Sequence, residues 1–196
     1  MLSNICVFCG SSPGTRKEYK KEAIKLGQTL AEQNIRLIYG GSDVGLMGVI
    51  AKAVLEYGGD VTGIIPRHLL EKEVAFTELK DLRIVDSMHE RKALMEKLSD
   101  GFIAMPGGFG TFEEIFEMIT WRQLGLNQKP CGFLNINGFY DKLISFIDYA
   151  ISEGFIHGTL QDAINTGITS LELIEKLKNS KPITIDKAKL AIKLKS

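Results

Sequence analysis

Short apolar runs alternate with longer segments of helical periodicity along almost the whole chain, and this alternation restricts the possible folds more than any other feature. The runs are Asn4–Cys9, Arg36–Tyr39, Asp60–Ile65, Leu82–Val85, Gly101–Met105 and Pro130–Leu134. Most are continuously apolar rather than alternating, as expected for strands covered on both faces. Helical patterns lie near Tyr19–Gln33, Leu46–Tyr57, Ser87–Leu98, Phe112–Gln123 and Tyr140–Glu153, with a further helix at Ser170–Leu177. Such a β-α repeat implies parallel strands joined by right-handed crossovers, a doubly wound α/β sheet with helices on both faces. At 196 residues the chain fits one domain, read as residues 1–178. A lysine-rich tail at 179–196 follows, in which Ile183 and Ile185 hint at a small extra strand.

Charge narrows the function. Lys plus Arg number 24 and Asp plus Glu 24, so the formal net charge is zero. A nucleic-acid-coating domain or a polybasic membrane anchor is disfavoured. No apolar run approaches the roughly 18 residues of a membrane helix and no charged-then-apolar leader opens the chain, so a soluble, cytoplasmic protein is expected. Cys6, Cys9 and Cys131 are too few for a disulfide framework. Cys6 and Cys9 spell C-x-x-C, but inside an apolar strand, where residues three apart point to opposite faces. They read as buried structural thiols. His68, His89 and His157 are scattered, and no metal site is expected.

Glycines collect after three of the strands. The first is followed by Gly10-Ser11-Ser12-Pro13-Gly14, the second by Gly40-Gly41-Ser42-Asp43-Val44-Gly45-Leu46-Met47-Gly48, and the fifth by Pro106-Gly107-Gly108-Phe109-Gly110-Thr111. Ligands of open parallel sheets bind beyond the carboxyl ends of the strands. Glycine lets backbone N–H groups approach an anion, and the following helix offers its positive end. Three such loops on one edge point to a nucleotide or sugar-phosphate site. The dinucleotide pattern G-x-G-x-x-G is missing after the first strand, and no loop ends in Gly-Lys-Ser/Thr. A mononucleotide site remains.

Two charged residues lie where charge is awkward. Stepping by helical spacing from Met88 reaches Arg91, then Leu94, Met95 and Leu98, which puts Arg91 on or beside the apolar stripe. A guanidinium there is paired, faces a ligand, or snorkels past the stripe to water. Lys92 adds a second cation, while Ser87 and Glu90 form an S-x-x-E capping box. Glu114 lies one turn beyond the third glycine loop. Thr111 and Glu114 also fit a capping box, so spacing alone leaves a cap and a catalytic carboxylate equally open. Glu113 and Glu117 read as solvated.

Met88-His89-Glu90-Arg91-Lys92 matches the pattern M-x-x-R-K, and Pro106 to Glu114 matches P-G-G-x-G-T-x-x-E. With the Cys-Gly-Ser-Ser turn and the Gly-Leu-Met-Gly loop, on a Rossmann-like pattern, they resemble the LONELY GUY proteins, the cytokinin riboside 5'-monophosphate phosphoribohydrolases. The resemblance covers roughly residues 1 to 178. It implies hydrolysis of the N-glycosidic bond of an adenine-type nucleoside 5'-monophosphate, either a cytokinin riboside monophosphate or AMP, to free base and ribose 5-phosphate. It also implies that Arg91 and Glu114 form the catalytic pair. The implied substrate contacts are Met88, Lys92, Gly107, Gly108, Phe109, Gly110 and Thr111, with Ser11 and Gly41 from the other loops. Glu73 and Thr120 join them by the resemblance alone.

In this reading the phosphate rests on the Gly107–Thr111 amides and positions the anomeric carbon. Glu114 stabilises the oxocarbenium-like transition state and directs water, and Arg91 holds phosphate or ribose hydroxyls and favours the ionised carboxylate. No metal or organic cofactor is required. Such proteins are often labelled possible lysine decarboxylases, but a pyridoxal-phosphate enzyme needs a Schiff-base lysine and a partner for the pyridinium nitrogen. Neither a convincing lysine nor the usual length is present. A binding or carrier protein on the same scaffold is the alternative. The resemblance further implies a homodimer with active sites near its interface, and no nucleic-acid or membrane partner.

Overall fold

A computed structural model describes residues 2–70, 72, 75–158 and 164–182. In chain order the elements are β1 (Asn4–Phe8), α1 (Lys17–Glu32), β2 (Arg36–Tyr39), α2 (Gly45–Glu56), β3 (Val61–Pro66), β4 (Asp81–Val85), α3 (Met88–Leu98), β5 (Gly101–Ala104), α4 (Phe109–Leu124), β6 (Cys131–Leu134), α5 (Asp141–Ser152), β7 (Ile164–Gly167) and α6 (Ser170–Lys178). All the strand pairs are parallel, in the order β4-β3-β2-β1-β5-β6-β7. The chain winds outward from β1 to β4, then returns to the centre at β5 and winds the other way. The expected doubly wound sheet is therefore found, with its reversal between β1 and β5.

The period-two geometry of β1 divides the core. Ile5, Val7 and Cys9 face a cluster built with Leu26 and Leu30 of α1, Ile50 and Val54 of α2, and Leu173 and Leu177 of α6. Cys6 and Phe8 face the opposite cluster, with Met95 of α3, Ile115 and Met118 of α4, and Tyr140 at the start of α5. All three cysteines are buried and free, and Cys6 and Cys9 lie on opposite faces as the strand pattern implied.

The structure changes the sequence reading at three places. A seventh strand exists: Ile164-Asn165-Thr166-Gly167 pairs with β6, although only one of its residues is strongly apolar. It lies at the sheet edge, where register and side-chain hydrogen bonds such as Asn165 Nδ2 to the Cys131 carbonyl replace apolar burial. Helix α4 starts at Phe109 rather than Phe112, with Gly108 as its N-cap and no side-chain cap. Thr111 is therefore the third helical residue, and the Thr111–Glu114 capping box is not formed. Beyond α6, Ser180 Oγ and the Lys181 carbonyl accept hydrogen bonds from Arg122 Nη2 at 3.0 and 2.6 Å. The strand expected at Ile183 and Ile185 lies outside the described residues.

Candidate active site

Parallel strands whose connections diverge leave a crevice at their carboxyl ends, and here that crevice separates the loops after β1 and β5. The Gly10 N–H donates to the Pro106 carbonyl at 3.1 Å, and the Leu46 N–H at the start of α2 donates to the Gly10 carbonyl at 3.0 Å. The three glycine loops are thus tied into one floor. Above it lies a cleft of about 310 Å3, whose walls include Ser11, Ser12, Gly107, Gly108, Tyr19 and Phe139. Tyr19 and Phe139 meet edge to face at 5.9 Å and close one side. A wider groove of about 930 Å3 lies at the opposite, amino end of the sheet, beside Asn34, Asp100 and Pro130, and no glycine loop contributes to its walls.

The glycines of the third loop serve different ends. A Cβ on Gly107 would lie 2.1 Å from Thr111 Oγ1, so this glycine lets the Thr111 side chain fold back over the loop. Around Gly108 and Gly110 a Cβ would meet nothing within 4 Å, and neither has a positive φ. Internal packing requires neither glycine, which leaves room beside the start of α4, and a helix N-terminus suits an anionic ligand. Phe109 between them is 92% exposed. Gly41 differs: it is buried at φ +77°, against Ile64 and Leu82, and its carbonyl accepts from the Phe76 N–H at 2.9 Å. It turns the chain and does not line the cleft.

Helix α3 begins as its sequence suggests. Ser87 Oγ accepts from the Glu90 N–H at 3.1 Å, while Glu90 Oε2 accepts from the Asp86 N–H at 3.0 Å. The helix directs Arg91 inward, where it is 5% exposed. Its Nε donates to the Ile64 carbonyl at 3.2 Å and its Nη2 to the Gly40 carbonyl at 3.1 Å, with Nη1 3.7 Å from Met88 Sδ. Of the readings left open for Arg91, the solvent-directed one is excluded. The guanidinium is held under the carboxyl ends of β2 and β3, with its Nε and Nη2 donating to these carbonyls. Gly40 makes this possible, because a Cβ there would lie 2.2 Å from Arg91 Nη2.

Glu114 lies half-buried on α4, on the same side of the sheet. Cys6 reports on both charges. Burial pushes its thiol pKa up, the Glu114 carboxylate raises it further, and Arg91 opposes that rise. Burial also raises the Cys9 thiol, and Glu114 adds to it. The guanidinium and the carboxylate, on different helices, thus act on one sulfur in β1.

Other residues named from the sequence are distributed less simply. Lys92 Nζ pairs with Glu113 Oε1 at 2.5 Å and Glu117 Oε2 at 3.1 Å. Burial would lower its pKa, but hydrogen bonds from the ammonium to these carboxylates outweigh that and hold it above the usual lysine range. Glu113 is exposed, as expected of a solvated charge, and also pairs with Lys92, whereas Glu117 is half-buried in its ion pair. Thr120 is exposed and its Oγ1 donates to the Phe116 carbonyl of its own helix at 2.7 Å. Nine residues beyond Thr111, it lies about 14 Å along the helix axis from the loop. Glu73 lies outside the described residues. Tyr19, Phe139 and Gly40 were not singled out by sequence. The available signal was position alone, since each follows the carboxyl end of a strand or opens the next helix. Among the described residues no three His, Cys, Asp or Glu side chains gather as a metal site, and no helix is long and apolar enough to cross a membrane.

Comparison with known proteins bears on this arrangement. A family model described as possible lysine decarboxylase matches residues 47–177. The cytokinin riboside 5'-monophosphate phosphoribohydrolase LOG3 of Arabidopsis thaliana is 49% identical over 178 residues, covering 91% of this chain and 83% of its own. The LOG protein of Oryza sativa, carrying the same enzyme name, is 48% identical over 178 residues, covering 91% and 74%. A molybdenum cofactor binding protein from Rippkaea orientalis has the same fold, with a TM-score of 0.66 over 90% of this chain and 94% of its own, at 20% identity. With identity near one half across nine-tenths of its length to these LOG proteins, and a family model matching residues 47–177, the chain belongs to the LONELY GUY family.

Proposed function

We propose that this protein hydrolyses the N-glycosidic bond of an adenine-type nucleoside 5'-monophosphate, taking up one water and releasing free base and ribose 5-phosphate. What supports the reading is that Arg91 and Glu114, on separate helices over the same face of the sheet, both lie near enough to Cys6 for their charges to bear on its thiol, with Glu114 one turn into the helix that the third glycine loop opens. Both charges bear on the Cys6 thiol, and a Cβ at Gly108 or Gly110 would meet nothing within 4 Å. A phosphate on those amides tethers the ribose, a positioning effect of the kind that supplies a large part of many rate enhancements. As the C1'–N bond lengthens, positive charge develops on the ribose, and the Glu114 carboxylate stabilises it and directs water to C1'. Arg91, fixed by the Gly40 and Ile64 carbonyls, offers its charge to phosphate or ribose hydroxyls without reorganising.

The curated relatives near 48% identity are named for this reaction, whereas the cofactor-binding neighbour shares the fold at 20% identity. A carrier that binds without cleaving is therefore the weaker reading. Incubation with AMP and with an N6-prenylated analogue separates the two: base and ribose 5-phosphate accumulate together if the protein is a hydrolase, and neither does if it is a carrier.

We further infer a homodimer. Phe109 is almost wholly exposed, Phe112 and Phe116 are half-buried on the same helix, and Thr120 lies too far down α4 to reach the loop of its own protomer. A second copy packed along α4 would cover these aromatic groups and bring Thr120 towards a neighbouring site. Light scattering at the mass of two chains supports this, and a monomer at assay concentration refutes it. An odd cysteine count, with Cys6 and Cys9 on opposite faces, suits the reducing cytoplasm.

A further inference from the structure

Helices α3 and α4 each pack on the sheet, α3 over β1 to β4 and α4 over β1, β5 and β6, rather than closely against one another. The shared strand β1 carries both helices, and ion pairs between their side chains can fix the separation of Arg91 and Glu114 further. Such ion pairs are made by the neighbours of Arg91 and Glu114. Lys92 follows Arg91, Glu113 precedes Glu114, and Glu117 lies one turn further along α4. The Lys92 ammonium is held 2.5 Å from Glu113 and 3.1 Å from Glu117, and its side chain is only 16% exposed.

We propose that Lys92 is a positioning residue, clamping α3 to α4 so that Arg91 and Glu114 are held at their working separation, and is not a phosphate ligand. The proposal rests on the hydrolase reading above. Charge supports it: one ammonium between two carboxylates makes a cluster of net charge −1, which repels a phosphate dianion. For Lys92 to turn towards phosphate it must leave both partners, exposing two carboxylates to each other and to the incoming anion. For Lys92 as a clamp, every contact it needs is already made. The motif lysine then acts through Arg91 and Glu114, and its neighbouring glutamates matter as much as it does.

The test is steady-state release of adenine from AMP by the wild type, Lys92→Met, Lys92→Arg, the Glu113→Gln/Glu117→Gln pair and the combination of Lys92→Met with that pair. Thermal unfolding checks that each variant is folded. A clamp predicts that Lys92→Met and the glutamine pair each lower kcat at least about tenfold, with KM within about threefold. Lys92→Arg restores most of kcat, and the combined variant falls little below the glutamine pair alone, the non-additivity of groups acting as one unit. If Lys92→Met does not fold, Lys92→Arg and the glutamine pair still decide the matter. A KM raised tenfold at unchanged kcat in Lys92→Met, or wild-type kcat in the glutamine pair, overturns the proposal. A wild type that releases no base from any nucleotide is a different failure: it removes the hydrolase reading first, and the clamp with it.

Discussion

Replacing Gly40 by alanine displaces Arg91 without altering it. The backbone accepts alanine, because Gly40 is not among the residues with positive φ. The new Cβ, however, would lie 2.2 Å from Arg91 Nη2 and 3.1 Å from Met47 Sδ. Ordinary contact distances are about 3.5–4 Å, so the guanidinium must retreat by more than about 1 Å. Retreat breaks its hydrogen bond to the Gly40 carbonyl, and a bond to a charged group contributes about 1.5–3 kcal/mol. For a domain of this size that corresponds to roughly 3–12 °C in Tm. The guanidinium is the end of a flexible chain and can swing, so the fold survives. The larger effect falls on activity, where misplacement by about 1 Å lowers rates about a hundredfold. Chromatographic assay of adenine released from AMP should show that loss in kcat for Gly40→Ala. On an Arg91→Ala background the same substitution should cost almost nothing more, since no guanidinium remains to displace. A folded Gly40→Ala protein with wild-type kcat, or an equal loss on the Arg91→Ala background, refutes the reasoning.

At Gly110 the opposite balance holds: alanine meets no atom within 4 Å and improves helix propensity by up to about 1 kcal/mol. Gly110→Ala should keep or raise Tm while increasing KM for AMP about tenfold, and an unchanged KM would mean that the phosphate does not rest there. Asp81 gives a pH prediction. Hydrogen bonds from Arg83, opposed by burial and joined by one from Thr62, hold its carboxyl below the usual range. Its stabilising contribution is full above the unfolded value of about 3.9 and is lost as pH falls through the lower folded value. Urea midpoints of Asp81→Asn should therefore depend less on pH below about 4 than those of the wild type, and an equally steep fall contradicts this. Finally, burial pushes the Cys131 thiol up to about 12 and raises Cys6 and Cys9 as well. A thiol reagent at pH 8 should titrate none of the three cysteines in the native protein and all three after unfolding, whereas rapid native labelling would show local opening.

The parts of this architecture legible from sequence are those set by burial. Strands β1, β2, β3, β5 and β6 are covered on both faces, so their runs are mostly apolar and easily found. Strand β7 escaped because an edge strand need not be apolar, and Asn165 and Thr166 leave no apolar run to find. The start of α4 was misplaced because Gly108 makes no side-chain cap, while Thr111 with Glu114 mimics one inside the helix. Arg91 was visible as a charge on an apolar stripe. What it touches was not, because the Gly40 and Ile64 carbonyls come from strands distant in sequence. Glu113 and Glu117 read as solvated charges, since nothing local to α4 reveals that Lys92 of α3 will pair with both. Tyr19 and Phe139 become neighbouring cleft walls only because the segments after β1 and after β6 meet across the cleft.

The most direct measurement is the stoichiometric release of adenine and ribose 5-phosphate from AMP by the wild type and by Glu114→Gln. The account predicts equal amounts of both products from the wild type, and a fall in kcat of about a hundred- to ten-thousand-fold in a variant that remains folded. Undiminished release by Glu114→Gln would contradict it.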